Sequence, residues 1–170
     1  MKTWPSLLGA AAAVAISASA VQAQQFGIQG SWGDDSDFGI GARIEYGLPN
    51  LLTNSGPFSR TFLIGSFDYF FPDCPDDVDC TYWEINSNLA IPLVASGIDP
   101  YVGAGLNIAH VSAELEGSDL GGSDTEVGLN LLGGLRFPLG GVSAFAEGRI
   151  ELSGGEQFVL TFGALLGGAR

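Results

Sequence analysis

From Val127 to Leu152 the chain alternates between apolar and polar positions. Leu129, Leu131, Leu135 and Phe137 fall on one side, and Asn130 and Arg136 on the other. After Pro138-Leu139-Gly140-Gly141 the pattern resumes, with Ala144, Ala146, Ile150 and Leu152 sharing one face and Ser143, Glu147, Arg149 and Glu151 the opposite one. A period of two residues is that of a β-strand, and the Gly-rich break between the two runs predicts a hairpin. The same alternation predicts six further strands. Residues 25–32 put Phe26, Ile28 and Trp32 on the apolar face, and residues 38–48 put Phe38, Ile40, Ala42, Ile44, Tyr46 and Leu48 opposite Arg43 and Glu45. Residues 61–71 set Leu63, Phe67 and Tyr69 against Ser66 and Asp68, and residues 82–93 set Trp83, Ile85, Leu89 and Ile91 against Glu84, Asn86 and Asn88. Residues 101–112 oppose Val102, Ala104, Leu106 and Ile108 to Gly103, Gly105 and Asn107, and residues 157–165 oppose Phe158, Leu160 and Phe162 to Thr161 and Gly163.

A soluble sheet buries its apolar face against a second layer, but no segment between these strands has the period of a covering helix. Lipid is the cover that remains, and a closed sheet with a polar interior is the shape that satisfies every strand edge. The expected fold is therefore all-β, an eight-stranded antiparallel up-and-down transmembrane barrel. Length agrees: at about 9 to 11 residues per spanning strand, eight strands use about 80 residues, whereas sixteen would take about 160 before any turn. The 26 glycines and single methionine among 170 residues suit strands and turns better than long helices.

The start of the chain reads differently. Met1 and Lys2 precede an apolar run over residues 7–16, and Val21-Gln22-Ala23 offers small residues for cleavage before Gln24, the layout of a secretory signal peptide. Residues 1–23 are expected to be removed, leaving 24–170 as one barrel domain.

Charge then divides the connections. Residues 33–37, 72–80, 113–125 and 153–156 contain most of the acidic groups, while 47–60, 94–100 and 138–141 carry only Asp99. The two sets alternate, as the two ends of an up-and-down barrel require. With the N-terminus in the periplasm, the acidic set faces the cell exterior, although the connection over 47–60 is longer than the usual short periplasmic turn. The formal charge of −13 excludes nucleic acid as a partner, since phosphate contacts need a basic surface.

Pro100-Tyr101-Val102-Gly103-Ala104-Gly105-Leu106, Ala144-Phe145-Ala146-Glu147-Gly148-Arg149 and the aromatic run Phe158-Val159-Leu160-Thr161-Phe162 resemble the small outer-membrane β-barrel family, the group around the outer-membrane protein A barrel and the opacity-type adhesins. The resemblance implies a monomer in the bacterial outer membrane with a structural or adhesive surface role and no catalysis. It implies membrane lipid and the barrel-assembly machinery as partners, with an extracellular partner reached through the acidic loops. Members usually end on an aromatic residue read during assembly. Here the chain continues from Gly163 to Arg170, so either Phe162 serves as that signal or assembly differs.

Candidate chemistry is sparse. Cys74 and Cys80 are the only cysteines, and in an exported chain they are expected to form a disulfide. A zinc site wants four ligands, and the chain has one histidine. The acidic runs Asp34-Asp35-Ser36-Asp37, residues 73–79 and residues 117–124 have carboxylates that suit Ca²⁺ but no complete loop motif, so solvated loops are the expectation and no cofactor or metal is assigned. His110-Val111-Ser112, with Glu114, resembles the His-x-Ser pair and Glu of outer-membrane lipid A deacylases, but the residue after Ser112 is Ala113 where those enzymes have Asn. Gly30-Ser31-Trp32 resembles the Gly-x-Trp of lipocalins, secreted ligand carriers that need an apolar interior, which the inward charges here oppose. Those inward charges are the main candidate site: Arg43, Arg136 and Arg149 among Glu45, Asp68, Glu84, Glu126, Glu147 and Glu151. An eight-stranded barrel is only wide enough inside for side chains to fill it, so this set is expected to form a charge network that largely plugs the lumen, with Arg149 near its centre.

Overall fold

Eight antiparallel strands, each bonded to the next and the last to the first, close into a barrel in the order β1-β2-β3-β4-β5-β6-β7-β8. They are β1 Gln24–Gly33, β2 Asp37–Gly47, β3 Phe62–Phe70, β4 Val78–Pro92, β5 Asp99–Leu115, β6 Gly121–Leu139, β7 Val142–Glu151 and β8 Phe158–Leu166, with a 3-10 turn at Pro57–Arg60 between β2 and β3. The computed structural model describes residues 24–93, 98–115, 117, 120–153 and 156–167; the expected signal peptide lies outside them. Closure runs from Phe26↔Leu166 to Gly33↔Val159, so no strand edge is left open within the ring.

The alternation sorts side chains as it predicts. Ile28, Ile40, Phe67, Leu106, Leu129, Leu131, Ile150 and Phe162 point outward and are exposed, whereas Arg43, Glu45, Asp68, Glu84, Asn86, Asn107, Glu147 and Arg149 point inward and are buried. This is the reverse of a soluble protein and matches a barrel whose outer surface meets hydrocarbon. Among the described residues, no helix is long and apolar enough to cross a membrane, so the apolar exterior belongs to strands. The interior is too narrow for a side chain at every inward position. A Cβ on Gly41 would collide with the Asp68 carboxylate and the Phe67 carbonyl, and one on Gly134 would enter the Tyr101 ring.

The connections fall at two ends. The turn end holds residues 48–61, the segment between β4 and β5, and the tight β6-β7 turn, where Gly140 takes a φ of 69° that favours glycine. The acidic end holds residues 34–36 and 71–77 and the segments after β5 and β7.

Strand lengths depart from expectation at the acidic end. The connection expected over residues 113–125 is mostly strand: β5 runs on to Leu115 and β6 begins at Gly121, paired from Asp99↔Arg136 to Glu114↔Gly121. β4 likewise starts at Val78, which places Cys80 on a strand and shortens the loop expected over 72–80. β6 pairs with β7 only from Asn130 onward, and β4 pairs with β3 only from Tyr82 onward. β4, β5 and β6 therefore rise together beyond their neighbours as a three-stranded sheet. Outside lipid a strand needs no apolar face, so Gly121, Gly122, Ser123 and Asp124 pair here without the alternation that marks the spanning segments.

Candidate functional site

The lumen contains two charged layers. Nearer the turn end, Arg43 on β2 donates from Nε to Glu45 Oε1 at 3.0 Å, and from Nη2 to Glu147 Oε2 at 2.9 Å and to Tyr101 Oη at 3.1 Å. Tyr101 completes the group by donating to the same Glu147 oxygen at 2.8 Å. Arg136 on β6 reaches Glu45 Oε2 at 2.5 Å. Aromatic faces hold both guanidinium groups: Arg136 Cζ lies 3.9 Å from the Phe62 ring centre and Arg43 Cζ lies 4.2 Å from that of Phe145. Beside them Phe62, Ile64, Ala90, Tyr101 and Leu132 form an apolar cluster inside the barrel. The layer has two guanidinium and two carboxylate groups, so its charges balance, and cation-π contact adds to the ion pairing.

Nearer the acidic end, Arg149 on β7 donates from Nη2 to Glu84 Oε2 at 2.6 Å and from Nε to Glu151 Oε1 at 2.8 Å. Gln157 closes the mouth above them. Its Nε2 lies 2.6 Å from Glu84 Oε1, 3.1 Å from Glu151 Oε2 and 3.0 Å from Tyr82 Oη. Its Oε1 accepts from the buried Ser36 hydroxyl at 2.8 Å. Tyr82 donates to Glu84 at 2.8 Å, and its ring packs against Phe70, whose side chain is wholly buried. Asp68 is satisfied by neutral donors: Gln29 at 2.6 Å, Ser31 at 3.0 Å and Ser66 at 3.1 Å. A layer of asparagines lies alongside, with Asn130 Nδ2 bonded to Asn86 Oδ1 at 2.8 Å and to Asn88 Oδ1 at 3.1 Å.

Arg43, Glu45, Glu84, Arg136, Glu147, Arg149 and Glu151 all stand in the lumen, in these two groups rather than in one. Glu126 is the exception. It has inward parity opposite Ala109, but β6 has already risen past the mouth there, and its side chain is exposed. Sequence reasoning did not single out Tyr82, Tyr101, Phe145 or Gln157. The inward parity of Tyr101 beside Gly103 was the available signal, masked because an aromatic side chain in a membrane barrel is first read as lipid-facing.

Outside the lumen, Cys74 and Cys80 are bonded, their Cα atoms 6.3 Å apart, tying the acidic loop to the start of β4. His110 is on the outward face, stacked on Trp83 with ring centres 5.0 Å apart, and its Nδ1 bonds Thr125 Oγ1 at 2.7 Å. Ser112 lies one outward position further along, level with Thr81 and Ser123. The imidazole nitrogen that a nucleophile-base pair would use to fix its tautomer is thus held by a threonine and, among the described residues, by no carboxylate. Asp34 bridges β1 to β8, its carboxylate accepting the Phe158 N–H at 2.8 Å. Among the described residues the acidic end presents exposed Asp35, Asp37, Asp73, Asp76, Asp77, Asp79, Glu114, Asp124 and Glu156 and no Arg or Lys, because Arg43, Arg136 and Arg149 are inside and Arg60 is at the turn end. No group of His, Cys, Asp and Glu among the described residues is arranged to hold a metal ion.

No protein-family model and no curated protein matches the chain. Solved structures do share its fold. The N-terminal β-barrel domain of Pseudomonas aeruginosa OprF aligns over 85% of this chain and 96% of its own, with 17% identity and a TM-score of 0.60. Ail, the attachment invasion locus protein of Yersinia pestis, aligns over 85% and 95%, with 16% identity and a TM-score of 0.58. Neisserial surface protein A aligns over 85% and 95%, with 18% identity and a TM-score of 0.56. The shared feature is the closed eight-stranded antiparallel barrel, the fold expected from the alternation.

Proposed function

We propose that this chain is a bacterial outer-membrane barrel that works at its acidic end as a structural or adhesive surface protein, its lumen filled by its own side chains. The observation that carries the reading is that ion pairs span the interior in two layers, Arg43–Glu147 with Arg136–Glu45 and Arg149–Glu84 with Arg149–Glu151. Tyr82, Gln157 and Ser36 sit across one mouth. A permeation path would have to break buried charge pairs, so solute transport is a poor use of this interior. The exterior suits lipid contact, and insertion in the outer membrane implies the barrel-assembly machinery as a transient partner. The alternatives of a lipid A-type deacylase at His110 and Ser112 and of a secreted lipocalin-like carrier lose support from the Thr125 bond to His110 and from the charged interior.

The kind of surface contact follows from charge. Ail has been solved with the heparin analogue sucrose octasulfate bound. The acidic end of the present chain offers such a polyanion no exposed guanidinium or ammonium among the described residues, so its partner is expected to be neutral or cationic. Membrane fractionation with protease digestion of intact cells tests the reading. Recovery in the outer-membrane fraction with cleavage in the 71–77 loop supports it, and recovery as a detergent-independent soluble protein overturns it.

A further inference from the structure

Along residues 121–128, β6 is paired on one side only among the described residues. Its ladder with β5 continues to Gly121, while its ladder with β7 stops at Asn130. Among the described residues the chain after β7 comes level with Gly128, where a Cβ would meet the Ser153 carbonyl. Leu152 donates its N–H to the Leu129 carbonyl, which places the odd-numbered backbone groups of β6 on the β7 side. By that alternation the N–H and C=O groups of Gly121, Ser123, Thr125 and Val127 line the open edge. Among the described residues one of them is engaged: the Thr125 N–H, by the Asp124 carboxylate at 2.8 Å. At about 3.4 Å per residue the edge is roughly 24 Å long.

We propose that this edge accepts an extended cationic segment of a partner protein as an added strand, main chain to main chain. This rests on the reading above, that the acidic end faces outward. Side-chain chemistry selects the occupant. Even positions of β6 place Asp124 and Glu126 beside the edge on the barrel-axis side, while Ser123, Thr125 and Val127 lie on the other face. Two copies joined edge to edge would oppose acidic groups to acidic groups, which disfavours self-association and is a recognised way of blunting an open strand. A strand with Lys or Arg at alternate positions would set those cations against Asp124 and Glu126 and its β-branched or hydroxyl side chains against Thr125 and Val127. Backbone hydrogen bonds would supply affinity and the alternate charges specificity.

The probe is a ten-residue synthetic peptide alternating lysine and threonine, offered to the full-length barrel in lipid nanodiscs. The expected result is at least tenfold slower amide exchange at Ser123 and Val127. Affinity is expected to fall at least tenfold both in Ser123→Pro and in the double variant Asp124→Asn, Glu126→Gln. Proline is tolerated on an edge whose N–H faces away from the ladder, and Val127→Pro repeats the test at a second donor. Unchanged amide exchange overturns the proposal. Binding that survives both proline variants and disappears in high salt also overturns it, since it reduces the interaction to adsorption on an acidic rim, and it leaves the surface-contact reading standing. Strand addition on the purified barrel with no peptide binding to intact cells overturns the outward orientation instead.

Discussion

Glu45 on β2 and Arg136 on β6 stand on opposite walls of the barrel, four strands apart in either direction, and their side chains meet at 2.5 Å. Two side chains thus span the whole lumen. The interior is a packed electrostatic core in which removing one partner strands the other away from water.

Arg149 is the most exposed to this logic, being among the described residues the single guanidinium between Glu84 and Glu151. Arg149→Ala is expected to reduce stability by about 3 to 5 kcal/mol, the range for breaking a buried pair. Arg60→Ala at the exposed turn end should change little. Reversible urea unfolding in detergent or lipid compares the two directly.

Conductance provides a second readout. The unmutated protein in planar bilayers should give quiet traces, and Arg149→Ala should leak as Glu84 and Glu151 repel one another and loosen the layer beneath Gln157. Large, stable openings from the unmutated protein would contradict the filled lumen.

Parity can be tested from the lipid side. Ile150 is outward and half exposed near the acidic-end close of β7, opposite Phe158, so Ile150→Arg should cost about 1 to 2 kcal/mol, between the interface and midplane values. Ser143 points inward beside the β6-β7 turn and can reach solvent, so Ser143→Arg should cost less. Equal unfolding midpoints would break the assignment.

The Cys74–Cys80 bond closes a short loop, and chain entropy assigns it about 2 to 3 kcal/mol. Mass analysis of the non-reduced protein should find no free thiol. Reduction should raise protease cleavage in the 71–77 loop while leaving the barrel folded, since no spanning strand depends on the bond.

Ser112→Ala is expected to leave the acylation of membrane lipid A unchanged, because His110 is held by Thr125 and stacked on Trp83. Mass analysis of extracted lipid checks this. A shift in acyl number on expressing the unmutated protein, absent from the Ser112 variant, would revive the hydrolase reading.

Much of this molecule was legible locally. Alternation is a property of neighbouring residues, and in lipid it is strict, so Leu129, Asn130 and Leu131 or Ile150, Arg149 and Glu151 declare their faces without any knowledge of partners. Eight such runs, a chain length too short for sixteen spanning strands, and connections that alternate between acidic and nearly uncharged were enough to specify a closed up-and-down barrel with an inward charged set. What alternation cannot carry is the angular and axial position of each strand. That Arg43 meets Glu147 rather than Glu151, that Arg149 takes Glu84, and that Arg136 crosses to Glu45 depend on strand register around the closed ring. Tyr101, Phe145 and Gln157 joined the site because closure brought them over those charges. The rise of β5 and β6 past the ring was hidden for a different reason. Beyond the hydrocarbon nothing forces one face to be apolar, so Gly121, Gly122, Ser123 and Asp124 read as loop until the ladder with β5 held them as strand.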